Sequence, residues 1–202
     1  ISKKFNNLVI STGATYDDEI KKTYDILKNN KKNFSFLHCV TIYPTPFKHL
    51  NLNRIEFLKR YTNNIGYSDH SSSEGRFKNI ASKAAIYFGA KIIERHVRIL
   101  DIKDTKDGPV SIEPKDIEDV INFSKLNKND QKRFLQECGI NFNLIKGKKI
   151  RKLSSEELLN RDYYRGRFVS YSKYSKRPIY NWEEALIWLN LMNPLSLKKL
   201  IN

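Results

Sequence analysis

The stretch Ile65-Gly66-Tyr67-Ser68-Asp69-His70 decides how the chain is read: a short apolar run that stops abruptly on three polar side chains. A helix is expected after it. A second run, Lys91-Ile92-Ile93-Glu94-Arg95-His96, then also ends on a histidine. Ligands of parallel α/β sheets bind at the carboxyl ends of the strands, so two neighbouring strands ending in His offer two imidazoles to one point. The pair is a candidate metal or anion site.

Working outward, Leu8–Ser11 is continuous enough in apolar residues to predict a buried strand. Thr12-Gly13-Ala14 turns toward Thr15, a predicted N-cap, and Asp17, Asp18 and Glu19 complement the start of a helix running to about Asn30. A strand is predicted over Phe34–Val40, followed by the irregular loop Thr41-Ile42-Tyr43-Pro44-Thr45-Pro46. Leu52, Ile55 and Leu58 mark a helix of about ten residues. The strand Gly66–His70, the helix Glu74–Phe88 stopped by Gly89, the strand Lys91–Val97, a loop with Gly108-Pro109 and a helix from near Pro114 complete the series. Four β-then-α units in a row predict a parallel sheet with right-handed crossovers.

Composition narrows the function classes. The chain has 202 residues, 40% of them hydrophobic, and no apolar run approaches the roughly 20 residues a membrane helix needs. Cys39 and Cys138 form neither a disulfide framework nor a metal pattern, which suits a reducing cytoplasm. The net charge of +15 is spread along the whole chain, as a solvated basic surface that would favour phosphorylated and carboxylated ligands. The first residue is Ile1 and the single methionine is Met192, so a removed leader or a piece of a longer protein is expected.

Five segments occur in the order and spacing of the sialic acid synthases: Ile10-Ser11-Thr12-Gly13, Leu37-His38-Cys39-Val40, Tyr43-Pro44-Thr45-Pro46, Gly66-Tyr67-Ser68-Asp69-His70 and Glu94-Arg95-His96. The region from about residue 8 to 125 resembles the second half of that family's (β/α)8 barrel. The resemblance implies an α/β chain of the TIM-barrel type with about four βα units, a half barrel over 1–128. It further implies a linker with short helices over 129–160 and a shortened antifreeze-like α+β module over 161–202. A complete barrel has eight units and about 250 residues. The implied reaction joins phosphoenolpyruvate to an N-acylated amino sugar of the N-acetylmannosamine type, giving a nonulosonic acid and phosphate. The implied cofactor is a divalent metal, Mn2+ with Mg2+ or Co2+ as alternatives, and the full-length family implies a homodimer.

By the same resemblance His70 and His96 hold the metal. A hydrogen-bonded structural role is the ordinary reading of either histidine alone. Glu94 lies two residues before His96 and points to the same side of its strand, toward the sugar or the metal's surroundings, or else into a buried ion pair. Val110 follows Gly108-Pro109 where many family members carry Asp; Asp107 then substitutes from the other side of the turn as a catalytic candidate. Ser11 and Ser68 are candidates for the phosphate, Tyr43 and Thr41 for the sugar. His38 reads as core, His49 as an ordinary loop residue.

The C-terminal region yields weaker signals. Ser154–Asn160 predicts a short capped helix, Tyr164–Ser170 a strand, and Asn181–Leu186 a capped helical turn. The resemblance implies an arginine that reaches a partner subunit's substrate, for which Arg167 and Arg177 are the candidates. Tyrosines interleaved with basic residues from Tyr163 to Arg177 offer a nucleic-acid surface as the alternative, although aromatics in a small β-rich module more often form its core. A non-catalytic remnant and a self-contained doubly wound α/β protein are the other readings.

Overall fold

Asn51, Gly75 and Gly89 take positive φ angles of 47°, 78° and 102°, one bend before the helix at Arg54–Leu58 and two flanking the helix at Ile80–Tyr87. The computed structural model describes residues 4–167, 169–171 and 178–180. Four strands, β1 (Asn7–Ser11), β2 (Asn33–Cys39), β3 (Ile65–Asp69) and β4 (Ile92–Arg95), pair in parallel in their chain order. A doubly wound sheet reverses its strand order at a switch point; an unbroken sequential order is that of a barrel segment. The doubly wound alternative is thereby set aside.

The register fixes two faces. Val9, Ser35, Leu37, Gly66, Ile92, Ser68 and Glu94 share one face, and Leu8, Ile10, Phe34, Phe36, Ile65, Tyr67 and Ile93 the other. The second face packs on the helices α1 (Asp17–Asn29), α2 (Arg54–Leu58) and α3 (Ile80–Tyr87). Ile20, Leu27, Ile55, Leu58 and the close-packing trio Ala81, Ala84 and Ala85 are 3% exposed or less. Each large side chain buried in this way contributes about 1.5–3 kcal/mol. Gly66 is required where it sits: a Cβ there would lie 2.3 Å from Leu37 Cδ2 and 2.6 Å from the carbonyl oxygen of Ile92.

Several expectations change at this level. β1 is half-exposed, with Val9 59% accessible, because it is an outer strand of the sheet and only β2 pairs with it. The N-cap of α1 is Tyr16, one residue later than expected; Thr15 turns its hydroxyl back to the Gly13 carbonyl at 3.0 Å, and Glu19 accepts the Tyr16 N–H at 2.8 Å. The ten-residue helix around Leu52–Leu58 is only the five residues of α2, since the bend at Asn51 separates it from a short 3₁₀ turn at Phe47–His49. α3 begins at Ile80 rather than Glu74: the preceding loop bends at Gly75 and is pinned by Ser73, whose N–H donates to Pro109 O at 2.9 Å. β4 stops at Arg95, although Val97 still pairs with Ile112 through an isolated parallel bridge.

α4 (Pro114–Ser124) starts at its proline as expected, with Asp116 accepting the Glu113 N–H at 3.0 Å. α5 (Lys128–Glu137) and α6 (Phe142–Lys146) follow. Leu135 and Ile145 bury their side chains in the main core. Between α3, β4 and α4 lies a groove of about 600 Å³ lined by Ile86, Ile93, Val97, Ile112 and Ile117.

α7 (Ser155–Arg167) begins where the capped helix was expected but runs on through Tyr164–Arg167, which were read as strand. Asn160–Arg167 contain no β-branched residue to favour extended backbone; Val169 does, and there the strand starts. The chain divides into two compact units, one ending at Leu158 and one beginning at Leu159. In the second, β5 (Val169–Tyr171) and β6 (Pro178–Tyr180) form an antiparallel pair. The turn read over Asn181–Leu186 and the candidate Arg177 lie outside the described residues. Among the described residues no helix is long and apolar enough to cross a membrane.

Candidate functional site

Strand register brings the candidate residues of β2, β3 and β4 into one row. Cys39 pairs with Ser68 and Ser68 with Glu94, so their side chains project from the same face at the carboxyl ends of three adjacent strands. Ser68 donates its hydroxyl proton to Glu94 Oε1 at 2.6 Å. Two residues further along each strand come His70 and His96, whose ring centroids are 5.2 Å apart at an interplanar angle of 66°. The expected convergence of two strand-end imidazoles is present.

His70 is 6% exposed, and the ring of Tyr43 lies edge-on to it at 4.3 Å between centroids. Burial, and after it the neighbouring His96 ring, push the His70 imidazole down to about 4. A neutral imidazole with a lone pair to donate is the form a cation needs. Cys39, 4% exposed, places its sulfur 3.8 Å from His70 Nδ1, and burial pushes its thiol up to about 11. Asp107 stands on the other side, Oδ2 3.7 Å from His96 Nδ1.

Ser11 ends β1 and pairs with Leu37, which puts its side chain on the same face as Cys39 and joins it to the row. Thr41 is 7% exposed; its methyl and the Cys39 sulfur both border Gly13, where a Cβ would come within 2.8 Å of the one and 2.9 Å of the other. Glu94 is exposed on β4 rather than in a buried ion pair, and it accepts the Ser68 hydroxyl. His38 faces away from the row, with Nε2 2.7 Å from Leu50 O and its ring against Tyr67, in keeping with a core role.

Sequence reasoning passed over the residues between the row members. Asp69 and Arg95 point to the opposite face and form a 2.6 Å ion pair with side-chain exposures of 0% and 5%. Asp69 also accepts the Ser82 hydroxyl at 2.5 Å and the Ser71 N–H at 2.8 Å. Arg95 reaches Ser71 Oγ and the carbonyls of Ser71, Ser72 and Lys78. This network ties the strand ends carrying His70 and His96 to each other. Its signal in the sequence is strand alternation: in both Ser-Asp-His and Glu-Arg-His the middle residue must face the helices.

Among the described residues no group of three or more His, Cys, Asp or Glu is placed to hold a metal ion. The donors present are therefore two imidazoles, with other coordination positions left to water or ligand oxygens. That chemistry suits a divalent first-row cation and is a partial shell for it.

The NeuB family model matches residues 1–131. The human N-acetylneuraminate-9-phosphate synthase is 33% identical over 127 residues, which are 62% of this chain and 34% of that protein. The N,N'-diacetyllegionaminic acid synthase of Campylobacter jejuni is 34% identical over 121 residues, 58% of this chain and 35% of that protein. The chain thus spans about a third of the length of the curated relatives it matches. Among solved structures, the spore coat polysaccharide biosynthesis protein SpsE of Bacillus subtilis aligns with a TM-score of 0.61 at 21% identity, over 77% of this chain and 42% of that one. The N-acetylneuraminic acid synthetase of Leptospira borgpetersenii, solved with citrate, aligns with a TM-score of 0.52 at 29% identity, over 77% of this chain and 48% of that one. The four βα units are a partial TIM barrel.

Proposed function

Because the chain belongs to the NeuB family of sialic acid synthases, we propose that it carries the His70–His96 half of an active site that joins phosphoenolpyruvate to an N-acylated amino sugar. Carbon three of phosphoenolpyruvate adds to the sugar's aldehyde carbon, whose oxygen takes up a proton; one water adds at carbon two, and phosphate leaves from that carbon. The 5.2 Å approach of the two strand-end imidazoles is the observation that supports this most directly.

His70 and His96 would hold the divalent cation, manganese with magnesium or cobalt as alternatives, which when bound supplies Lewis-acid polarisation of the aldehyde oxygen. Tyr43, edge-on to His70, and Thr41 are the residues that would border the sugar. Glu94, fixed by Ser68, holds a sugar hydroxyl or a proton beside the reacting carbon. Ser11, at the end of β1, offers its hydroxyl to the phosphate, and Ser68 joins it by turning its one proton from Glu94 to the phosphate. Asp107 orients the His96 ring through Nδ1. We read the functional assembly as a homodimer of the full-length type in the cytoplasm, where Cys39 and Cys138 stay free thiols. Nucleic acid and membrane are not partners in this reading.

Calorimetric titration with manganese tests the site without requiring turnover. The wild-type chain is expected to bind saturably, and His70→Ala and His96→Ala are each expected to abolish binding. Binding indifferent to both substitutions would remove the metal from this reading, and with it the catalytic assignment.

A further inference from the structure

The loop that follows β2 sets the Tyr43 ring against His70, and it has few means of holding the ring there. Tyr43 is 43% exposed, yet its ring centroid is 4.3 Å from that of His70, which is itself only 6% exposed. Pro44 and Pro46 carry no N–H, so over residues 44–46 Thr45 alone can donate hydrogen bonds. Thr45 uses both of its donors. Its N–H donates to the His70 carbonyl at 2.8 Å, which ties the loop to the residue that follows β3. Its hydroxyl donates to the Ile42 carbonyl at 2.6 Å, which closes the chain around Tyr43 and Pro44; the Val40 carbonyl, at 3.5 Å, is the more distant acceptor. Thr45 is 4% exposed, so bulk water does not compete for these bonds, and branching at Cβ restricts where its hydroxyl can point.

We propose that Thr45 is a positioning residue, whose N–H and hydroxyl together hold the Tyr43 ring against the His70 imidazole and so limit access to that imidazole. Thr45 meets His70 only at the backbone carbonyl, and it acts on the ring through Tyr43. The two bonds divide the work. The N–H keeps the loop attached to the strand end, and the hydroxyl fixes the turn on which Tyr43 sits. Without the hydroxyl the loop stays attached, but the Tyr43 ring, at the surface already, is free to turn toward solvent. That Tyr43 held in this way borders an amino sugar rests on the function proposed above. The packing of Tyr43 on His70 does not.

The test is a ring proton–carbon correlation spectrum of the full chain, recorded without metal at about pH 8, where ordinary imidazoles are uncharged. There are four histidines, so the signal lost in His70→Gln is that of His70. Tyr43→Leu removes the aromatic neighbour, and the displacement of the His70 signal that results calibrates the packing. Thr45→Val keeps the shape and the N–H but has no hydroxyl, and it is expected to move the His70 signal toward its Tyr43→Leu position. Thr45→Ser retains the hydroxyl and is expected to leave the signal where the wild type has it; Thr45→Val added to Tyr43→Leu is expected to move it no further. A His70 signal unchanged in Thr45→Val, or unchanged in Tyr43→Leu, overturns the proposal. Hydrogen exchange of the wild type decides even if Thr45→Val does not fold: the Thr45 amide is expected to be protected by the His70 carbonyl, and exchange at the rate of an unfolded segment overturns the proposal equally. Should manganese fail to bind while Thr45→Val still moves the His70 signal, the metal reading fails and the role of Thr45 stands.

Discussion

Asp69 and Arg95, on adjacent strands and on the face opposite the candidate site, form an ion pair 2.6 Å long that is almost completely withdrawn from solvent. Each residue immediately precedes one of the two site histidines. The pair is the anchorage of the site rather than a member of it.

Removing one partner leaves the other charge buried without compensation, a loss of about 3–5 kcal/mol. Arg95→Met and Asp69→Asn are therefore each expected to lower the urea midpoint by a large amount. The double variant Asp69→Leu/Arg95→Met is expected to recover part of that loss, because no lone charge remains. Equilibrium unfolding of the three variants checks this; an unchanged midpoint for Arg95→Met would show that the pair is not a structural anchor.

Gly66 has no space for a methyl group. Gly66→Ala is expected to destabilise the chain by about 1–3 kcal/mol through overpacking. Adding Leu37→Ala removes the nearest obstacle, the Leu37 Cδ2 at 2.3 Å, but not the Ile92 carbonyl oxygen at 2.6 Å. The double variant should thus regain none of the full wild-type midpoint, since the backbone clash persists and a cavity is added. A midpoint at or above wild type in the double variant would contradict the packing described.

The His38 ring is buried at 2% exposure, and that burial pushes it down to about 3. In the unfolded chain it titrates near 6.5, so below that value the unfolded state binds a proton that the folded state refuses. The contribution is intact above pH 6.5 and is lost as pH falls toward 3, at up to about 1.4 kcal/mol per pH unit. Between pH 7 and pH 5 the wild type should lose about 2 kcal/mol more stability than His38→Gln. Urea melts of both proteins at the two pH values measure that difference, and parallel losses would refute it.

Much of this arrangement can be read from the sequence because strand periodicity is simple. Once Ser68-Asp69-His70 and Glu94-Arg95-His96 are placed on parallel neighbours, alternation alone sets Ser68, His70, Glu94 and His96 on one face. Helix starts at Asp17 and Pro114 are also legible, since acidic first turns and proline are local signals. The shortening of α2 and the late start of α3 depend on positive φ at Asn51 and Gly75 and on the docking of Ser73 to Pro109, contacts made across 36 residues of chain. Hydropathy registers the burial of Cys39 but not the imidazole of His70 beside it. The ion pair of Asp69 and Arg95 was hidden by its own motifs, whose histidines draw attention to the other face.

β1 and β4 are the outer strands of the sheet, all of whose strands run in the same direction, and Val9 on β1 is 59% accessible. Such a sheet can be extended laterally, at either side, by a further strand running the same way, and every added strand presents the same kind of edge to the next. A lysine in place of Val9 would put a charge on that outer strand, a gatekeeper against unwanted pairing there.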